Sequence, residues 1–239
     1  MTKRRGCPTK IHVIGFTICP LIWANVLLLS ELGLATTASD YRLQGLRLRE
    51  QGRFPEAIAA LQKSVDLEPE NLSGRVTLGW TLHLANQGRQ AAEILQANLQ
   101  EQPFDVPTLN ALGIVYLVND DPVAAVFTHA KAALVKSDNE IAYYNLSLAL
   151  QRLQHYDWAI ATALKAIELE PDNPHPRVAL AIAQWGQGKA AIAQATYRET
   201  INLDNRYQNL AHLEHLNQAG FSPAQIEETK AILESLLKG

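Results

Sequence analysis

Three rows of side chains, each recurring every 34 residues, are where this chain could do chemistry, and the chemistry they offer is binding. One row holds Leu46, Trp80, Ile114, Leu148 and Ile182 and is apolar throughout. A neighbouring row holds Arg42, Val76, Asn110, Tyr144 and Val178. A third holds Arg49, His83, Leu117, Gln151 and Trp185. A helix packed along one stripe is expected to be polar elsewhere, so a second apolar stripe needs a use. We read these rows as a groove. Its floor is aliphatic, with Ile114 and Leu148 in it. Trp80, Tyr144 and Trp185 are its aromatic anchors, and Arg42, Arg49, Asn110, Asn145 and Gln151 are polar handles. Burying ~300 Å² of apolar ligand surface there gives ~7 kcal/mol before ordering costs, enough for a peptide of moderate affinity. The competing reading packs the aliphatic row between neighbouring helices of the chain itself.

Other chemistry is thin. There is no glycine-rich phosphate loop, no HExxH and no nucleophile elbow. His212, Glu214 and His215 fall close on one helical pattern, but a third ligand at good spacing is missing, so a solvated face is expected. His129 is expected to be a packed, hydrogen-bonded histidine between helices rather than a metal ligand. Asn71-Leu-Ser73 and Asn145-Leu-Ser147 match the glycosylation sequon, although Asn145 falls on a helix face. No catalytic residue, metal or cofactor is expected, and the chain reads as a non-enzyme.

The elements that must carry these rows are visible in Glu140 to Asn173, where two helical patterns lie back to back. Tyr143, Leu146, Ser147 and Leu150 recur at helical spacing, then Ala159, Ala163, Ala166 and Ile167 do the same. His155 to Asp157 is expected to make the turn, and Pro171 stops the second helix. Sliding this unit in steps of 34 brings Ala57, Ala91, Ala125, Ala159 and Ala193 into register, and likewise Gly45, Gly79, Gly113, Ser147 and Ala181. Pro69, Pro103 and Pro171 close three of the copies. A fixed period of this length marks a repeat array. Small residues belong where two helices of a hairpin cross closely, with Leu and Tyr filling the space beside them.

These residues carry a resemblance. The small residue and Leu or Tyr of the first helix, the Ala of the second and the closing Pro resemble the tetratricopeptide repeat. The resemblance implies an all-α, right-handed α-solenoid of stacked antiparallel helix hairpins, with the first helices lining the concave side. It implies five units, at 38–71, 72–105, 106–139, 140–173 and 174–207. Some members of the family grip a peptide's terminal carboxylate with five basic and Asn residues. Here Arg42 fits the first place, while Leu46, Thr77, Pro107 and Ala111 stand at the others. That activity is therefore not expected.

Around the array lie a leader and a tail. Residues 1–37 begin basic, with Lys3, Arg4, Arg5 and Lys10, and continue apolar from Ile11 to Leu34. This order reads as an export signal or as a retained membrane anchor, and both readings put the repeats on the non-cytoplasmic side. The whole chain has a formal net charge of −3, and the leader is basic, so the body is mildly acidic. An acidic body argues against nucleic acid as a partner. Both cysteines, Cys7 and Cys19, lie in the leader, so the body has no thiol chemistry. Ser39 and Asp40 are candidate caps for the first helix. Tyr207 to Gln218 reads as one helix stopped by Gly220, and Ser222 to Gln225 as a capping box opening the last helix. Residues 208–239 are expected to cap the open end of the array with capping helices.

The expected function is a protein–protein interaction scaffold that binds a peptide or protein segment in its concave groove. It is exported or membrane-anchored and aids assembly of a membrane or envelope complex. The alternative is a self-associating structural module, a homo-oligomer. An enzyme or sugar-binding protein on an α-solenoid would need a polar pocket of convergent ionisable groups, which these rows do not supply.

Overall fold

A computed structural model of the protein describes residues 37–238, so the expectations for the leader lie outside the described residues. All regular elements among the described residues are helical. The first five pairs are α1 (Ala38–Glu50) with α2 (Phe54–Leu67), α3 (Leu72–Leu84) with α4 (Gly88–Glu101), α5 (Val106–Val118) with α6 (Pro122–Val135), α7 (Glu140–Arg152) with α8 (Tyr156–Leu169), and α9 (Pro174–Gly186) with α10 (Ala190–Leu203). First helices start 34 residues apart throughout, and second helices keep the same step. Each second helix packs on its own first helix and on the first helix of the next pair, which is the contact pattern of an α-solenoid.

The same local chemistry recurs at each joint. Asn71, Asp105 and Asn139 cap the first helices by accepting the backbone N–H three residues on. At α1 this role falls to Thr37, not to Ser39 or Asp40. Asp40 instead returns a bond to the Thr37 backbone and completes a capping box. Within each hairpin one turn residue is left-handed: Gly52, Asn86, Asp120, Gln154 and Gly188, again in register. In the fourth pair the turn centres on Gln154, in register with the others, so α8 already starts at Tyr156 and Asp157 is helical rather than part of the turn.

The helix crossings match side chain to side chain. A Cβ placed on Gly45 would come within 2.5 Å of Leu61, one on Gly79 within 2.9 Å of Leu95, and one on Gly113 within 2.5 Å of the His129 ring. Where Ser147 replaces glycine, the partner in register is the small Ala163; Ala181 faces Tyr197. Polar residues that break the apolar pattern of the fifth pair are matched too. Gln184 accepts from the Thr196 hydroxyl at 2.8 Å, and Gln194 donates to Ser235 at 2.9 Å.

The tail differs from expectation. Residues Asn205–Gln208 and Leu210–Ala219 form two 3-10 segments rather than one α-helix. The Tyr207 carbonyl is taken by the buried Tyr197 hydroxyl, and Asn209 caps the second segment through Ala211. Both remove groups that an α-helix would use. Gly220, at φ +84°, then turns the chain into α11 (Pro223–Leu237), which opens on the capping box of Ser222 and Gln225. α11 packs on α9 and α10, burying Ile226, Ile232 and Leu233 in a core shared with Tyr197, Leu213 and Leu216. Among the described residues no helix is long and apolar enough to cross a membrane.

Candidate functional site

The inner rows split into two halves, because the tail lies on one of them. In the later units it is gripped by its own backbone. The Tyr144 hydroxyl donates to the Ala219 carbonyl. The Arg152 guanidinium donates to the Gly220 carbonyl at 2.7 Å, to Gln225 at 3.0 Å and to the Leu117 carbonyl. Gln225 donates to the Leu148 carbonyl at 3.1 Å and to Gln151 at 2.8 Å, and Gln151 donates to Glu228 at 2.6 Å. Leu148 is fully buried, Asn145 and Gln151 are nearly so, and Trp185 packs against the core that holds Leu213 and Phe221. Asn145 also spends its amide on the Ile141 carbonyl at 2.8 Å.

The electrostatics follow this burial. Burial drives the Tyr144 hydroxyl well above the ordinary phenol range, so it stays a neutral donor. Burial also lowers the Arg152 pKa from its usual value, opposed by the nearby Asp120. Glu228 is raised by burial, with the Gln151 hydrogen bond opposing.

The earlier units keep their inner face open. A cavity of about 640 Å³ is bounded by Trp80, His83, Ile114, Ile141 and Tyr144 on the array side and by the tail residues Asn217 to Gly220 on the other. Glu140 and Glu170 also line it. Trp80 lies against His83, with ring centroids 5.1 Å apart, and burial lowers the His83 pKa. Trp80, Ile114, Tyr144 and Asn145 are therefore brought together around one space. Arg42 and Arg49, on α1, are not part of its wall. Arg42 pairs with Glu68 at 2.8 Å. Asn110 exchanges two amide bonds, of 3.2 and 3.0 Å, with Asn139, the cap of α7.

Sequence reasoning missed the tail as a wall of the site, and with it Arg152 and Gln225. Gly220 was the available signal: a left-handed residue just before a capping box sets where the chain can reverse.

Two histidine expectations are corrected. His212 and His215 do not form a solvated face. They stack at 4.0 Å, and the His215 ring lies 3.2 Å from the Tyr207 hydroxyl and near His175. Glu214 turns away to Lys230 at 2.6 Å. Among the described residues no group of three or more His, Cys, Asp or Glu is placed to hold a metal. His129 is packed between helices as expected, but neither ring nitrogen makes a hydrogen bond of proper geometry.

Comparison with known proteins agrees with this architecture. Two family profiles described as tetratricopeptide repeat match residues 48–113 and 141–173. The Hsp70-Hsp90 organizing protein of Triticum aestivum is 36% identical over 86 residues, which is 36% of this chain and 15% of that protein. The chain spans less than half the length of the curated relatives it matches. Among solved structures, MamA from Desulfovibrio magneticus RS-1 is similar with a TM-score of 0.64 at 19% identity, covering 70% of this chain and 95% of that one. A tetratricopeptide repeat protein from Parabacteroides merdae gives 0.63 at 16% identity, covering 84% and 79%. At such identities the likeness is one of fold. With the repeat register, the paired helices and both profile matches in agreement, this chain carries tetratricopeptide repeats.

Proposed function

We propose that the array is a protein-interaction scaffold whose partner lies along the inner face from the second unit to the start of the fourth, against the tail. One observation carries this reading. The inner face of the later units already holds backbone by its carbonyls, those of Ala219 and Gly220 at the turn that ends the second 3-10 segment, through Tyr144 and Arg152. The open cavity beside it offers an aromatic and aliphatic floor of Trp80, Ile114 and Ile141, with Glu140 and Glu170 at its edge. That suits a segment with an apolar anchor and a basic neighbour. The wheat relative is named for organising Hsp70 and Hsp90. This chain lacks four of the five clamp positions that such carboxylate recognition uses, so we do not carry that partner over.

The expected result for Trp80→Ala is at least about a tenfold loss of partner affinity, as for an aromatic anchor. Affinity capture from detergent-solubilised membranes, compared with the unsubstituted chain, measures it, with circular dichroism as the control for folding. Equal capture by both proteins rules the cavity out as the seat. We propose further that the leader carries the array across or into a membrane, where it aids assembly of a membrane complex. Reading the N-terminal residue of the mature protein checks processing. A mature chain recovered from the cytoplasm with Met1 in place contradicts export.

A further inference from the structure

The outward faces of α6 and α8 have a composition that no other unit repeats. Leu134 stands where the other units have Asp66, Gln100, Glu168 and Asn202. Phe127 stands where they have Ala59, Glu93, Ala161 and Ala195, and Trp158 where three of them have Glu56, Gln90 and Ala124. None of the three is needed by the fold, since Phe127 is 74%, Leu134 87% and Trp158 69% exposed. Ala133 stands where the others have Val65, Leu99, Ile167 and Ile201. The missing volume opens a slot of about 510 Å³ between α6 and α8, floored by Tyr143, Leu146 and Leu150 of α7. A protruding ring and a slot of apolar lining thus lie on one face.

We propose that this outer face of the third and fourth units takes a second copy of this chain, Phe127 of each copy entering the slot beside Trp158 of the other. A two-fold dimer needs one surface to complement itself, and a knob beside a hole does so. The area agrees. Taking aromatic side chains at ~150–250 Å² each, the three exposed residues offer roughly 400–500 Å² of apolar surface. A standard interface buries about 800 Å² per partner, about 65% of it apolar in homodimers. The two helices and the turn after α6 carry both signs, Lys131, Lys136 and Lys165 with Asp138 and Glu168. Rotation about a two-fold axis can set such charges against their opposites, whereas an anionic lipid surface would call for a basic rim. This surface is on the opposite side of the array from the groove and stands or falls independently of it.

Sedimentation velocity of the full chain in a mild non-ionic detergent, from about 1 to 100 µM, tests the proposal. The expected result is a reversible monomer–dimer equilibrium. Phe127→Glu and Trp158→Glu each raise its dissociation constant about thirtyfold or more, with circular dichroism and melting unchanged. A chain that stays monomeric over the whole range overturns the proposal. So does dimerisation that both substitutions leave intact, or a Trp158 fluorescence shift on phosphatidylglycerol vesicles by a chain that does not dimerise.

Discussion

Arg152→Ala is expected to detach the tail from the inner face and to lower stability by about 3 kcal/mol or more, because three bonds from one charged group are lost together. Arg152 reaches the Leu117 carbonyl on α5, the Gly220 carbonyl at the αL turn and the Gln225 side chain of the α11 capping box. No neighbouring donor is placed to replace it at all three points. The loss is expected to be regional. Amide hydrogen exchange is predicted to quicken most from Leu210 to Leu237, while α1 to α4 keep the protection of the unsubstituted protein. Arg152→Lys is expected to recover little, since an ammonium cannot present the planar fork that these three acceptors meet. Uniform loss of protection along the whole array would mean that the tail is not a separately held element.

His129→Leu is expected to stabilise the protein, by about 1–3 kcal/mol at pH 7, since it removes a buried ring whose nitrogens make no hydrogen bond of proper geometry. Leucine at this place facing glycine is the pairing already present at Gly45 with Leu61 and at Gly79 with Leu95. The same substitution is expected to change how stability depends on pH. Burial pushes the His129 pKa down to about 3, opposed only by the Gly113 backbone. In the unfolded chain the ring takes its proton near pH 6.5. Between these values the unfolded state binds more protons than the folded one, so stability falls as the pH falls from 6.5 towards 3. From pH 7 to pH 5 this one residue removes about 2 kcal/mol, and His129→Leu is predicted to remove that part of the slope. Urea unfolding of both proteins at the two pH values measures it. A variant less stable than the parent at pH 7 would mean that the ring nitrogens are satisfied after all.

The array was legible in the sequence because its determinants are local and repeated. The small residues at the crossings and the closing prolines report contacts made within one hairpin, and each recurs often enough to be read by register. The left-handed turn position was only half legible. Gly52, Asn86 and Gly188 signal it, but Gln154 holds the same conformation because the helices on either side impose it. Long-range events left less trace. Nothing near Tyr144 or Gln151 says that a segment more than seventy residues later will cover them, and a row covered by the chain itself has the same composition as one waiting for a ligand. The 3-10 tail was hidden for the same reason: its helical spacing is good, but Tyr197 takes a carbonyl that an α-helix would need. Trp80 and Ile114 stayed in the open half, where the tail walls a cavity instead of filling it.

The division of the inner face is tested most directly by photocrosslinking in cells, with benzoylphenylalanine placed at position 80 in one chain and at position 151 in another. Position 80 is predicted to capture a partner protein and shift the chain to higher mass. Position 151, beneath the tail at Gln225 and Glu228, is predicted to react only within its own chain. Equal capture of a partner from both positions, or capture from position 151 alone, would contradict the account.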